Sequence, residues 1–237
     1  MMEDNTLTEI EDFYNEMPFN KVLDNQLNHT KPILLPAFDY YATGTESICE
    51  VGCGNGWLSN RIAYHYDIPV HGIDLIQRNI DQANRTSSGA TFTQANLFEH
   101  KCNSDFIVSI GVLHHTPDVY IALEHLLKHK AKRLYLGLYD SQRQAVFDYF
   151  DRYTNKWEQF QQITDKLLSE EHKRSWYRDQ LEHPQEVLID GAKIYKLAKK
   201  HGYQLRTLYT MSYDDIMKSL ENGKFKSGMS YFGLEKS

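Results

Sequence analysis

Residues 47–56 read Ser47-Ile48-Cys49-Glu50-Val51-Gly52-Cys53-Gly54-Asn55-Gly56, and the reading of this stretch decides the fold. A short apolar run ends in three glycines at alternate positions, and Trp57 to Tyr66 then carries Leu58, Ile62 and Tyr66 on one helical face. Strand, glycine turn and helix form the opening unit of a doubly wound sheet, where a nucleotide lies against backbone at the strand's carboxyl end. A dinucleotide fingerprint places its third glycine three residues after the second, to set a pyrophosphate over the helix N-terminus. Here Trp57 holds that position and the third glycine comes one residue early. The loop therefore suits a nucleoside with a small polar tail. It is not a Walker loop either, because no Lys-Ser/Thr pair follows. The plain alternative is a tight turn that binds nothing, since glycine serves any such connection.

The next element points the same way. Val70-His-Gly-Ile-Asp-Leu75 is a second short apolar run, and Asp74 stands twenty residues past Gly54. That is the distance at which a carboxylate ending the second strand meets a ribose diol. The competing reading is an N-cap, because the Gln-Arg-Asn-Ile stretch after it looks helical.

Composition bounds the function. At 237 residues the chain suits one α/β domain with an insertion, and 41% hydrophobic with 24% charged residues is ordinary for a globular protein. A net charge of −6 gives no general attraction to nucleic acid or an anionic membrane. Lys193 to His201 with Lys224 and Lys226 form either a local basic patch or solvated faces. The N-terminal Met1-Met-Glu-Asp-Asn5 lacks the basic and apolar regions of a signal peptide, and no apolar run approaches a bilayer span. Cys49, Cys53 and Cys102 are odd in number and lack the paired spacing of a zinc site. The expectation is a cytoplasmic protein with reduced thiols and no metal.

Three blocks together resemble the class I S-adenosylmethionine-dependent methyltransferases: Glu50-Val-Gly-Cys-Gly-Asn-Gly56, Gly72-Ile-Asp-Leu75, and Asp105-Phe-Ile-Val-Ser-Ile-Gly-Val-Leu-His-His-Thr-Pro-Asp118. The last looks like the family's fourth-strand segment, and the resemblance covers about residues 45 to 140. Leu136-Gly-Leu-Tyr-Asp140 with Arg143, and Trp176-Tyr-Arg-Asp-Gln-Leu-Glu-His-Pro184, are similar to a bacterial subgroup with an Asp-Gln-x-x-His-Pro segment. The resemblance implies S-adenosylmethionine as cofactor. Gly52, Cys53, Gly54 and Gly56 would hold its methionine tail, with Glu50 orienting the ammonium. Asp74 would take the ribose diol and Leu75 one adenine face. Asn96-Leu97 stands where the family often has an acid that reads the adenine amino group; the alternative is a turn-forming Asn. Ile110, Gly111 and Val112 would wall the sulfonium side.

The organisation follows from the pattern of runs. Residues 1–44 are a helical leader, 45–140 the cofactor-binding core, 141–184 a helical cap and 185–237 the completion of the sheet. Strands and helices alternate through the core, which implies an open parallel sheet with right-handed crossovers. Thr91 to Leu97, Asp105 to Ile110 and Arg133 to Tyr139 are its later strands. Phe147, Phe150, Tyr153, Trp157 and Phe160 recur without strand alternation, giving two amphipathic helices over the sheet's carboxyl edge. Gln185 to Lys200 is a returning helix closed by Gly202. Tyr203 to Tyr213 and Met229 to Glu235 form an antiparallel pair at the sheet edge, with a loop between them. The fold class is thus α/β, a Rossmann-like doubly wound and mostly parallel sheet with an antiparallel edge pair and a helical cap.

Methyl transfer needs proximity and water exclusion, and a base only when the nucleophile arrives protonated. The candidates are His114 and His115 after the fourth strand, and Asp179 with His183, four apart and on one face if that segment is helical. Each has a packing role as its alternative. Tyr14, Pro18 and Phe19 read as a lid or as core; Tyr139, Arg143, Trp176 and Tyr177 are substrate-side candidates. The function expected is methylation of a small metabolite at oxygen or nitrogen. The rivals are tRNA modification, against which the acidic balance argues, and a binding module without turnover.

Overall fold

The computed structural model describes residues 4–16, 35–87, 89–129, 131–164, 170–184 and 186–237. Apolar runs that are buried on both faces become the middle of a parallel sheet. β1 (Ile48–Val51) and β4 (Phe106–Ile110) are such runs, and they pair side by side, Ile48 beside Phe106 and Glu50 beside Val108. β2 (Val70–Asp74) and β3 (Thr91–Gln94) extend the sheet on one side, β5 (Arg133–Tyr139) on the other. The full order is β3-β2-β1-β4-β5-β7-β6, with β6 (Tyr203–Tyr209) and β7 (Met229–Lys236) at the edge. β7 runs antiparallel to both β5 and β6, as the sequence leads one to expect. The strand order reverses between β1 and β4, so a crevice opens beyond their carboxyl ends.

Each face of the sheet has its own core. Cys49, Val51, Ile107, Leu134 and Leu136 pack under α5 (Val119–Leu127) and α9 (Gly191–Lys200). Ile48, Phe106, Val108 and Tyr135 pack under α2 (Phe38–Ala42), α3 (Trp57–Tyr66) and α4 (Gln77–Arg85). A third cluster lies outside the sheet. α6 (Gln144–Phe150), α7 (Lys156–Thr164), α8 (Glu170–Leu181) and α10 (Tyr213–Glu221) bury Tyr149, Phe150, Phe160, Tyr177 and Ile216 among themselves. The leader supplies α1 (Asp4–Glu16), which buries Ile10 and Phe13.

Five expectations need correction. Residues 141–184 hold three α-helices among the described residues, not two. The returning helix starts at Gly191, not Gln185: the chain before it is held extended, Val187 N–H donating to His114 O at 2.9 Å and Ile189 N–H to Tyr139 O at 3.0 Å. Asp190 then caps the helix, its carboxylate accepting from Ala192 N–H at 2.8 Å. The sixth strand stops at Tyr209 and the third at Gln94. The expected loop between the edge strands contains α10, started by Ser212, whose hydroxyl accepts from Asp215 N–H at 3.2 Å and donates to the Asp215 carboxylate at 2.7 Å. Ile216, Met217 and Leu220 pack in one cluster with side chains of α6, α7 and α8, so tertiary burial completes a helix of strong local start signals.

Candidate active site

The glycine loop is shaped from beneath. Gly52 N–H and Cys53 N–H both donate to Ile73 O, at 2.8 and 2.9 Å, which draws the end of β1 onto β2. Gly52 has φ +75°, and a Cβ there would stand 2.2 Å from a Val112 methyl, so only glycine fits. Gly54, with φ +52°, has open space where its Cβ would be and lines a cavity. The cavity measures about 390 Å³, inside the range of ~300–1,000 Å³ typical of small-molecule sites.

Asp74 fixes the loop to the end of β2. Its Oδ2 accepts from Gly54 N–H at 2.8 Å, and its Oδ1 from Ile76 N–H at 2.9 Å and Asn79 Nδ2 at 3.1 Å. A carboxylate has about four acceptor sites, so one remains for a ligand in the cavity it lines. Burial pushes its pKa up, and these three donors pull it back only in part. Asp74 does not cap α4, which begins at Gln77 with Ile76 in the N-cap position. Glu50 lies under the loop, 5% exposed, and accepts from the Ser59 hydroxyl at 2.5 Å. Burial pushes its pKa up to about 8 despite that hydrogen bond.

Leu75, Asn96 and Leu97 line the cavity on the β2–β3 side, Ile110 and Gly111 on the β4 side. Asn96 makes the turn that was its alternative reading: its Oδ1 accepts from Phe98 N–H at 3.0 Å.

The opposite wall is polar and comes from far apart in the chain. Tyr14 of α1 donates to Asp179 Oδ1 at 3.1 Å. Gln180 Nε2 donates to Asp179 Oδ2 at 2.7 Å and to Tyr139 Oη at 2.9 Å. Burial raises the Tyr14 pKa well above the phenol range, and the Asp179 charge adds to it, so Tyr14 stays a donor. Burial also raises the Asp179 pKa, which His183 opposes. Behind this wall Arg143 is fully buried, 3.6 Å over the Tyr139 ring, with both Gln180 and Glu186 on its guanidinium.

The three histidines stand in a row but in different surroundings. His115 lines the cavity, and His183 stacks on it with ring centroids 3.7 Å apart. His183 also lies 5.4 Å from the Tyr14 ring. α8 ends at Leu181, so the expected one-face pairing of Asp179 and His183 along a helix does not form; the cluster around Tyr14 brings them near each other instead. His114 is 0% exposed, and its Nδ1 accepts from Tyr139 N–H at 3.2 Å. Burial first, then its charged neighbours, holds its pKa well below the usual imidazole range. With Nδ1 engaged by an amide, His114 is neutral and carries its proton on Nε2. It has no free acceptor nitrogen with which to act as a base.

Of the residues singled out from sequence, Tyr14, Gly52, Gly54, Asp74, Leu75, Asn96, Leu97, Ile110, Gly111, His115, Tyr139, Trp176 and Asp179 line the cavity. Glu50, Cys53, Gly56, His114, Arg143, Tyr177 and His183 do not, and Phe19 with Pro18 lies outside the described residues. Sequence reasoning missed Asn79, Gln180, Met229 and Tyr231, which also line it. Gln180 had a signal in its place beside Asp179. Met229 and Tyr231 share one face of β7, which carries no motif.

The family profile described as Methyltransferase domain matches residues 19–208. The chain belongs to this family. Among solved structures, this methyltransferase is similar to magnesium protoporphyrin IX methyltransferase (ChlM) from Synechocystis PCC 6803 with bound SAH. There the TM-score is 0.59 at 15% identity, over 100% of this chain and 96% of that one. It is also similar to the plantazolicin methyltransferase BpumL in complex with SAH, with TM-score 0.55 and 13% identity over 99% and 91% of the two chains. The methyltransferase domain of bacterial CtHen1-C gives 0.52 and 13% over 83% and 92%. At such identities these likenesses show the fold, a Rossmann-like methyltransferase sheet. No curated protein matches the chain.

Family and cavity agree on S-adenosylmethionine as the cofactor. The fit rests on two features: the open space in front of Gly54, and a carboxylate with an acceptor site to spare at the cavity's edge.

Proposed function

We propose that this methyltransferase methylates an oxygen or nitrogen of a small molecule enclosed between the sheet and the cap. The supporting observation is one cavity with two unlike ends. Gly52, Gly54 and Asp74 border one, and Tyr14, His115, Tyr139, Trp176 and Asp179 the other. A cavity walled by α1 and α8 suits a small acceptor better than a macromolecule, and a net charge of −6 gives no pull on a nucleic-acid backbone. In this reading residues 141–184 act as the cap, and the Asp179-Gln180-x-x-His183-Pro184 segment belongs to the acceptor side.

Bound S-adenosylmethionine supplies a methyl group already activated by positive sulfur. The chain supplies the rest. Asp74 would accept from a ribose hydroxyl, Leu75 and Leu97 would face the adenine, and the loop backbone at Gly52 and Gly54 would take the methionine tail. Ile110 and Gly111 exclude water from the reacting side. Tyr14, through Asp179, closes the leader over the acceptor. His115 is the group placed to take a proton from an incoming hydroxyl or ammonium, with His183 stacked behind it.

The test is a methylation screen of the full chain against metabolite pools and, in parallel, bulk tRNA, using labelled S-adenosylmethionine. Label is expected in a small molecule, and label in tRNA alone would refute the proposal. Once the acceptor is known, His115→Gln should lower turnover by about 10²- to 10⁴-fold with cofactor affinity unchanged by titration calorimetry. A loss below tenfold would remove His115 as the base.

A further inference from the structure

A second set of reactive side chains lies away from the cavity, on the sheet face covered by α5. Cys49 of β1 and His71 of β2 are register partners, so their side chains leave the sheet side by side. The segment before β4 crosses over them. His100 stacks on His71 with ring centroids 5.8 Å apart, and Cys102 Sγ stands 2.7 Å from Cys49 Sγ. One ligand atom each from Cys49, His100 and Cys102 lies within 4.8 Å of the others. The crossing segment is held from the end of α5. Cys102 N–H donates to His129 Nδ1 at 3.0 Å, and His125 Nε2 lies 3.3 Å from His100 O.

We propose that Cys49, His100 and Cys102 bind a soft divalent cation of the zinc class. Two sulfurs and an imidazole with no carboxylate among them suit zinc and disfavour magnesium or calcium. Both thiols are nearly fully buried, while His100 is half-buried and gives the ion a way in. Two thiolates on one tetrahedral zinc, with bonds of ~2.3 Å, stand roughly 3.7 Å apart. The sulfurs must therefore separate by about 1 Å, which side-chain rotation supplies. Each thiol gives its proton to solvent as its Zn–S bond forms, so binding releases two protons and involves no change of oxidation state. The fourth position is left to water. The bound ion would tie β1, which ends in the cofactor loop, to the segment that leads into β4. The spacing rule for zinc motifs does not find this site, because its ligands come from a strand and a distant loop.

The test uses the full chain, reduced and stripped with chelator, then offered zinc and desalted. One zinc per chain is expected by elemental analysis, with Cys49 and Cys102 protected from alkylation. Cobalt loading should give a thiolate-to-metal charge-transfer band. Cys49→Ser and Cys102→Ser should abolish that band, and His100→Ala should weaken zinc binding at least tenfold. If a cysteine variant does not fold, His100→Ala and the alkylation pattern of the natural chain still decide. Reduced protein that takes up no zinc would overturn the proposal, and so would zinc held undiminished by His100→Ala with both thiols open to alkylation. Recovery of the pair as a disulfide from protein that binds no zinc once reduced would also overturn it, and would assign the contact to thiol oxidation instead.

Discussion

Replacing Arg143 with methionine tests whether one buried guanidinium joins the cap to the cavity wall. Its Nε donates to Glu186 Oε1 at 2.5 Å and its Nη2 to Glu186 Oε2 at 3.0 Å, a two-point fork. Nη1 donates to Gln180 Oε1 at 3.1 Å and to the Ser227 carbonyl, and Nη2 also donates to the Gln180 carbonyl at 2.8 Å. The two partners' pKa shifts pull in opposite directions. Burial acts to lower the Arg143 pKa, but Tyr139 and Glu186 leave it raised; burial raises the Glu186 pKa further than Arg143 can lower it. The first favours an ion pair and the second opposes it. The fork geometry decides for the ion pair. Breaking a buried pair from one side costs ~3–5 kcal/mol, because the other charge is left uncompensated. Glu186 can escape by taking up a proton, so we expect about 3 kcal/mol at pH 7 and less at pH 5. Urea unfolding followed by circular dichroism measures this. Arg143→Met with Glu186→Met should recover more than half of the loss, since an apolar pair removes the stranded charge. Turnover should fall in the single variant while cofactor affinity stays within a few-fold, because Gln180 no longer holds Asp179 and Tyr139. A single-variant cost under ~1 kcal/mol, or a double variant no more stable than the single, refutes the reasoning.

Two further predictions concern the cofactor end. Asp74→Ala should weaken S-adenosylmethionine binding by about 1.5–3 kcal/mol in titration calorimetry, the scale of hydrogen bonds to a charged group; unchanged affinity would detach Asp74 from the ribose. Glu50, with its pKa raised to about 8, keeps a proton in the folded chain that the unfolded chain loses near its ordinary pKa of 4.5. The contribution of Glu50 to stability therefore falls as pH rises from about 4.5 to about 8, and levels off above. Glu50→Gln should flatten that slope in urea unfolding, and an unchanged slope would show that another group carries it.

The glycine-loop end of the cavity was legible in the sequence because its residues are near neighbours in the chain. Gly52, Gly54 and Asp74 sit at strand ends whose apolar runs announce themselves, and Gly54 N–H meets the Asp74 carboxylate across only twenty positions. The sheet was legible for the same reason, down to β5 at Arg133–Tyr139. Where burial overrides local pattern, the reading went astray. Residues 186–189 look able to extend a helix, yet pairing with the end of β5 holds them extended. The stretch after Tyr209 looks like more strand and loop, yet α10 forms there to close the hydrophobic cluster of α6, α7 and α8. His114 and His115 are neighbours of identical type, and what separates them is tertiary: the Tyr139 amide on His114 Nδ1, and the cavity and the His183 ring against His115.

The opposite wall was less legible because its contacts span the chain. Tyr14 meets Asp179 across 165 positions, and Arg143 meets Ser227 across 84. No window of sequence contains such a pair, so the wall has no signature beyond the residue types themselves. This difference bears on how the two halves can vary. The glycine loop is fixed by sterics, with Val112 against Gly52 and Phe92 against Gly56, so substitution there damages the fold before it alters a ligand. The opposite wall is assembled from α1, α8, β5 and β7, each anchored elsewhere, so Trp176, Met229 or Tyr231 can change without disturbing the loop. If the proposed function holds, acceptor choice would be free to vary on a constant cofactor site, within the limit set by Arg143, whose guanidinium must still close on Glu186 and Gln180 for the wall to stand.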